Sequence, residues 1–453
     1  MTIPRIDTGD VVLSLKIYRD GQLLENSDGA SELVEYVANV EIFESLTSAG
    51  IEASVIFEDN GGVLGALTGS EKFKIQIRGS IHDHTYNFRA YAIEARNRTN
   101  QQSDVFMVRM VSEEFVKNEV INVFGNTKVI FDNETEGGNI VDTLLRKPDF
   151  LGSGKKVFVE ETLNRHDFIV PNWRPFDTIY WICNRSIRGG GAQAQSAYLF
   201  YENAFGFHFK SIDKIIEDIN SQTTEKTDIT NAKPRLYTYL YSPKNVDPST
   251  DQFRINSIAF PGERNYLEGL RHGTWSGYAI GLDPVSVNSS KLGASPDTYV
   301  SAYRYSVEEL WPKMVHLKGN KDMNPIDNMD TDVKTMTEYP KRVRYSMMPN
   351  QIFDPKYSSN WQANYDKLVE LQAYQWMRIE TIKNVKLSIT IPGNLDLYVG
   401  SGISVELPMT FKSGQTTKID KKYSGLYIIV GLTHKIFNRK MTTELLLMKD
   451  AVQ

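Results

Sequence analysis

The stretches TGSEKFKIQI (68–77) and VGSGISVEL (399–407) open alike, with a Gly-Ser pair before a run of alternating apolar residues. Period-two alternation predicts a half-buried strand, and Gly supplies backbone angles that a turn needs. Around the first stretch lie VANVEIFESL (37–46), IEASVIFED (51–59), NFRAYAIEARN (87–97) and VFMVRMVSEE (105–114). Around the second lie VKLSITIPG (385–393), GLYIIVGLTHKIF (425–437) and MTTELLLMKD (441–450). Taken in order, four strand types at the front match four at the end, so the chain reads as carrying a duplicated antiparallel β domain.

Between them the texture changes. In EGGNIVDTLLRK (136–147) the apolar residues Ile140, Val141, Leu144 and Leu145 share one helical face, and SAYLFYENAFGFHFKSI (196–212) reads as a hairpin around Glu202, Asn203 and Ala204. Strand character returns in RLYTYLYS (235–242) and FRINSIAF (253–260). A polar, Tyr-rich block then ends in a helix candidate, NWQANYDKLVELQAYQWMRIET (360–381). The expected division is a first β domain over 1–115, a mixed α/β domain over 116–230, a second β domain over 231–262 and 380–453, and an inserted domain over 263–379. The expected fold class is therefore β-rich α+β, multidomain.

A chain of 453 residues exceeds one ordinary core. With 51 Lys and Arg against 56 Asp and Glu, the net charge of −5 points to no polyelectrolyte partner. The apolar run LYIIVGL (426–432) is far shorter than the ~20 residues that a membrane-spanning helix needs, so no stable membrane insertion is expected. No secretory signal pattern opens the chain, and one cysteine excludes an internal disulfide.

That cysteine, Cys183, lies in FIVPNWRPFDTIYWICNRS (168–186). Pro175 suits a first helical turn, and Phe176, Ile179, Tyr180 and Cys183 then recur on one apolar face. A nucleophilic thiol needs an electropositive, partly exposed setting with a base, and no nearby His supplies one, so Cys183 reads as a packing residue. Asn172, Arg174 and Asp177 surround the helix start, where capping and a local salt bridge account for them. HDH (82–84) is expected at a polar hairpin tip, without a predictable third metal ligand. RGGGAQAQS, from Arg188, lacks the Lys-Ser/Thr of a phosphate loop, and DNMDTD (327–332) lacks the Gly and Glu of a calcium loop. Glu160 and Glu161 with Asp177 form no recognisable acid pair at sequence level, and the Tyr-rich block suits packing or an interface more than sugar stacking. No catalytic constellation, cofactor site or metal site emerges, so structural or assembly work is expected.

In order, these landmarks resemble the central hub protein of the baseplate of contractile-tailed (myovirus) bacteriophages, related to the hub portion of type VI secretion spike proteins. The most specific segment is 168–186, whose Pro171, Asn172, Arg174, Pro175, Phe176 and Asp177 are similar to the family's entry into its second domain. The resemblance implies two related tube-like antiparallel β-barrel domains with two smaller α/β domains, assembling as a trimeric ring. Such a homotrimer is a non-enzymatic symmetry adaptor between the hexameric tail tube and a trimeric spike protein, with neighbouring baseplate and wedge proteins around it. DNA would pass through its lumen without specific binding. The place implied is the virion, after synthesis in the host cytoplasm. No spike segment follows the second β domain, so a separate spike chain is expected. The rival readings are a tail-associated carbohydrate-binding adhesin and a cell-wall hydrolase.

Overall fold

The computed structural model describes residues 11–451 apart from 26–28, 30, 61, 63, 66, 80–82, 101–102, 190–194, 223–234, 243–250, 263–264, 283–302, 319–323, 341, 348–360 and 410–417. The first unit comprises β1 (Val12–Arg19), β2 (Gln22–Leu23), β3 (Val37–Ser45), β4 (Glu52–Asn60), β5 (Lys72–Arg78), β6 (Asp83–Asn100) and β7 (Ser103–Ser112). Its strands pair antiparallel in the order β1-β5-β6-β7-β4-β3. Alternation works as the sequence predicts: Phe73, Ile75 and Ile77 of β5 point inward and pack with Leu15, Val55, Phe57 and Phe106. Strand β1 precedes every segment singled out above, although VLSLKIYR alternates as well.

Asp83 and His84 of HDH belong to a strand rather than to the expected hairpin tip. Asp83 and His84 continue β6 opposite Arg78 and Ile77, and His84 is buried with its Nε2 2.7 Å from the Leu395 carbonyl oxygen. The paired ladder extends the strand, so the histidine takes an inward position. His82 lies outside the described residues.

Next come α1 (Glu113–Asn118), β8 (Val123–Asn126), α2 (Thr127–Ile130), α3 (Gly137–Arg146), β9 (Lys156–Val159), β10 (Ile169–Trp173), α4 (Pro175–Cys183), β11 (Tyr198–Asn203), β12 (Gly206–Ser211) and α5 (Ile212–Asn220). Helix α3 buries Ile140, Val141, Leu144 and Leu145, the face read from its periodicity. It packs with α4 and the hairpin β11–β12 around Phe176, Phe200 and Phe207.

The remaining elements are β13 (Tyr237–Leu240), β14 (Ser257–Ala259), α6 (Tyr266–His272), β15 (Ser276–Leu282), β16 (Tyr303–Ser306), α7 (Val307–Leu310), α8 (Thr331–Thr337), β17 (Arg342–Met347), α9 (Trp361–Ile382), β18 (Val385–Pro392), β19 (Gly402–Glu406), β20 (Gly425–Phe437) and β21 (Lys440–Lys449). The polar block holds a small sheet, β16-β15-β17, packed on α9 through Trp275, Tyr305, Tyr374 and Met377. Its strands escape a pattern reading because β15, SGYAIGL, spends a position on Gly277. A Cβ there would run into the Tyr305 ring.

Strands β13, β14 and β18–β21 repeat the first unit. Their order is β13-β19-β20-β21-β18-β14, against β1-β5-β6-β7-β4-β3, although β13 runs parallel to β19 where β1 is antiparallel to β5. Irregularities repeat too. The β6–β7 ladder slips between Ala90 and Ala92, and the β20–β21 ladder slips between Ile429 and Gly431. In the turns, Gly69 and Gly400 share a φ of +86°. The two units are joined, because β3 also pairs with Gly431–Phe437 of β20, and all their strands form one 13-stranded sheet.

Candidate assembly interface

The junction inside the chain is a strand edge. Long β20 is used twice along one side: Gly425–Ile428 pairs with β19, and Gly431–Phe437 pairs with β3, while β21 follows its other side. In the first unit β6 is built alike, with Asp83–Arg89 beside β5 and β7 along its other side. Beyond Arg89, however, no described strand takes the place that β3 takes on β20. Likewise β14, the counterpart of β3, pairs only with β18 among the described strands. Among the described strands the chain thus presents one used junction and two unused halves of an equivalent one. Tyr91 on β6 and Phe260 just after β14 are each 52% exposed.

Buried polar contacts lock the used junction. The Glu44 side chain, on β3, accepts hydrogen bonds from the Ala204 amide (2.8 Å) and the Val399 amide (3.2 Å), tying the first unit to the β11–β12 turn and to the second unit. Asn203 donates to the Val399 carbonyl at 3.1 Å. Phe205 packs edge-on against His84 of one unit and Tyr398 of the other. Glu202 accepts from the Ile51 amide, the Ser112 hydroxyl and the Lys155 ammonium. Burial pushes the Glu44 carboxyl up to about 8. Sequence reasoning missed Glu44, although the signal was present: it occupies the inward phase of β3 with Val40 and Ile42. A carboxyl group there demands buried partners.

The residues singled out between Pro171 and Asp177 lie in β10 and around the start of α4. Pro171 and Asn172 form a bulge in β10 between Val170 and Trp173, where proline's missing N–H costs no ladder bond, and Asn172 takes a φ of +59°. Arg174 precedes α4 and pairs with Glu119 and Asp177, each at 2.7 Å. The expectation that Asn172 or Asp177 caps α4 is corrected: the Phe176 amide donates to Asn118 Oδ1 at 2.7 Å, from the end of α1. A tertiary neighbour satisfies the free N–H, which local sequence does not reveal. Pro175 opens the helix, and Phe176 packs on Phe200 and Phe207. Cys183 is buried in this aromatic cluster, and burial holds its thiol far above its ordinary range.

The other candidates do not converge. Glu160 pairs with Arg188, and Asp177 with Arg174. Asp330 caps α8, while Asp327 pairs with Lys334. Of RGGGAQAQS, Arg188 is anchored by Glu160 and Glu217, and 190–194 lie outside the described residues. Among the described residues no group of three His, Cys, Asp or Glu side chains could hold a metal, and no helix is long and apolar enough to cross a membrane.

Comparison with solved structures places this architecture. Over 97% of its length the chain superposes on 97% of the tail protein from Neisseria meningitidis MC58, with a TM-score of 0.50 and 10% identity. The 43 kDa tail protein of prophage MuSo2 from Shewanella oneidensis is matched over 98% of this chain and 100% of that one (TM-score 0.48, 8% identity). A type VI secretion system component from E. coli, described as structurally similar to T4 tail proteins gp27 and gp5, is matched over 91% and 73% (TM-score 0.40, 9% identity). No family model and no curated protein matches the sequence. The chain carries a tail-protein fold, in keeping with the hub resemblance.

Proposed function

We propose that this protein is a structural hub of a phage-tail baseplate: a trimeric adaptor that joins a hexameric tail tube to a trimeric spike and lines the passage for tube and DNA. The observation that carries this reading is the repeated unit with its half-used junction. If β14 of one copy takes on β6 of the next the place that β3 takes on β20 within the chain, identical contacts propagate from copy to copy. Heterologous contacts of this kind close into a ring when the rotation permits. Three copies carrying two units each then present six similar units, matching a hexameric tube on one face while keeping threefold symmetry for a spike on the other. Open strand edges need partners, and this arrangement supplies them. The resemblance sets the copy number, and the tail-protein fold supports a place in the virion. The work is mechanical, without catalysis or a cofactor.

Light scattering of the purified chain, alone and with its spike protein, tests this. The expected result is three times the chain mass, rising by three spike chains. A monomer at every concentration, indifferent to the spike, overturns it.

A further inference from the structure

A cavity of about 440 Å³ lies where the end of α4 meets α9 and the edge strand β17. Arg185 and Arg344 both line it, with Asn184, Gln372, Gln375 and Trp376. Among the described lining residues there is no Asp or Glu.

The two guanidiniums differ from the other well-packed arginines of the chain. Arg188 has Glu160 and Glu217, and Arg378 has Asp213 and Asp450. Arg185, by contrast, donates to the Trp181 carbonyl at 3.2 Å and lies 4.1 Å from the centre of that indole. Arg344 donates to the His272 carbonyl at 2.5 Å and to the Tyr305 hydroxyl at 3.2 Å, and stands 3.3 Å over the Trp376 ring. Neither forms an ion pair with a carboxylate among the described residues. Arg185 Nε is buried without a hydrogen-bond partner, as is Oε1 of Gln375, a residue only 9% exposed. Burial pulls the Arg185 guanidinium down to about 10, the direction expected of a desolvated cation without a counter-charge.

We propose that this cavity is a binding site for a carboxylate-bearing ligand, whose anionic group completes the charge pair that Arg185 and Arg344 leave open. A guanidinium offers a planar fork of donors that matches a carboxylate in two-point contact. The volume exceeds that of the carboxylate alone, so an attached body the size of an amino-acid side chain or a sugar ring fits as well. Ala279, Ala373 and Ile379 offer it an apolar wall, and Tyr345, 62% exposed, an aromatic ring. The carboxylate has two possible sources, an acidic side chain of a docking protein or a free sugar acid. This site is independent of the ring junction, since no residue is shared.

Calorimetric titration of the full chain with N-acetylglutamate amide and with glucuronate, each against its neutral counterpart N-acetylglutamine amide or glucose, tests the site. At least one carboxylate probe is expected to bind with a stoichiometry of one, at least about tenfold tighter than its neutral counterpart and more weakly as salt rises. Preference for the glutamate probe points to a protein side chain, and preference for glucuronate to a sugar acid. Arg185→Met and Arg344→Met are each expected to lose binding about tenfold. Because either change could loosen the packing on Trp181 or Trp376, Ser346→Glu provides a second variant. It sets a carboxylate on the cavity wall and is expected to abolish probe binding while raising the melting temperature. Carboxylates that bind no better than their neutral counterparts overturn the proposal, as does undiminished binding by a folded Ser346→Glu chain.

Discussion

Glu44 joins three parts of the molecule through one carboxyl group, and that makes it sensitive to pH. Its folded-state value of about 8 lies above the ordinary 4.5, so between these values the folded chain keeps a proton that the unfolded chain has lost. Unfolding then releases a proton, and stability falls as pH rises through that window, by an amount on the order of a few kcal/mol before it levels off above 8. Denaturant unfolding from pH 5 to 8 is expected to show this decline, and Glu44→Gln is expected to flatten it. An unchanged slope in the variant would place the titration elsewhere. At the Gly-Ser turn of the second unit, Gly400 combines a φ of +86° with close approach to the Tyr201 hydroxyl. Gly400→Ala should cost roughly 1–3 kcal/mol, read from the unfolding midpoint.

Strands rather than residues set the proposed ring contact. Across the used junction Glu41 faces Lys435. Following the ladders through each unit, Glu41 corresponds to Ala259, since they sit opposite Ser54 and Ser388, and Lys435 corresponds to Asn97, since they sit opposite Thr442 and Val105. The proposed contact therefore brings Ala259 of one copy opposite Asn97 of the next. Because Cys183 is buried, new surface cysteines react selectively. A chain carrying Ala259→Cys and Asn97→Cys should yield covalent trimers with a short bismaleimide, while either single variant should yield none. Products of both single variants would remove this register.

At the scale of the whole molecule, one buried arginine clamps distant parts of the chain. Arg378 of α9 lies 3.2 Å from Asp213 of α5 and 3.2 Å from Asp450 after β21. Tyr374 donates to Asp213 at 2.7 Å, and His316 Nδ1 lies 2.8 Å from Asp450. Truncation leaves two buried carboxylates without their cation, so Arg378→Ala is expected to cost about 3–5 kcal/mol. Arg378→Met, which keeps the packing, strands the same charges and should recover only part of that loss. If the inserted block is independent of the β sheet, thermal unfolding of Arg378→Ala will leave the wild-type midpoint unmoved. Should the chain assemble as proposed, that midpoint will also rise with protein concentration.

Apart from β1 and β2, the sequence by itself determined the strands of both units, the helices α3, α4 and α9, and the fact of duplication, because burial on one face writes a period of two or 3.6 into the residues. The Gly-Ser turns were legible for a related reason, since their backbone angle admits few residues. Other features depend on partners distant in the chain. The cap on α4 comes from Asn118, the burial of His84 from the ladder to β5, and the inward place of Glu44 is completed by Ala204 and Val399. The small strands β15–β17 are stabilised by packing on α9 more than by their own pattern. Above all, pairing of β3 with β20 is a choice among similar edges, and edges share one backbone chemistry. Only the folded arrangement decides which edge is filled and which is left open.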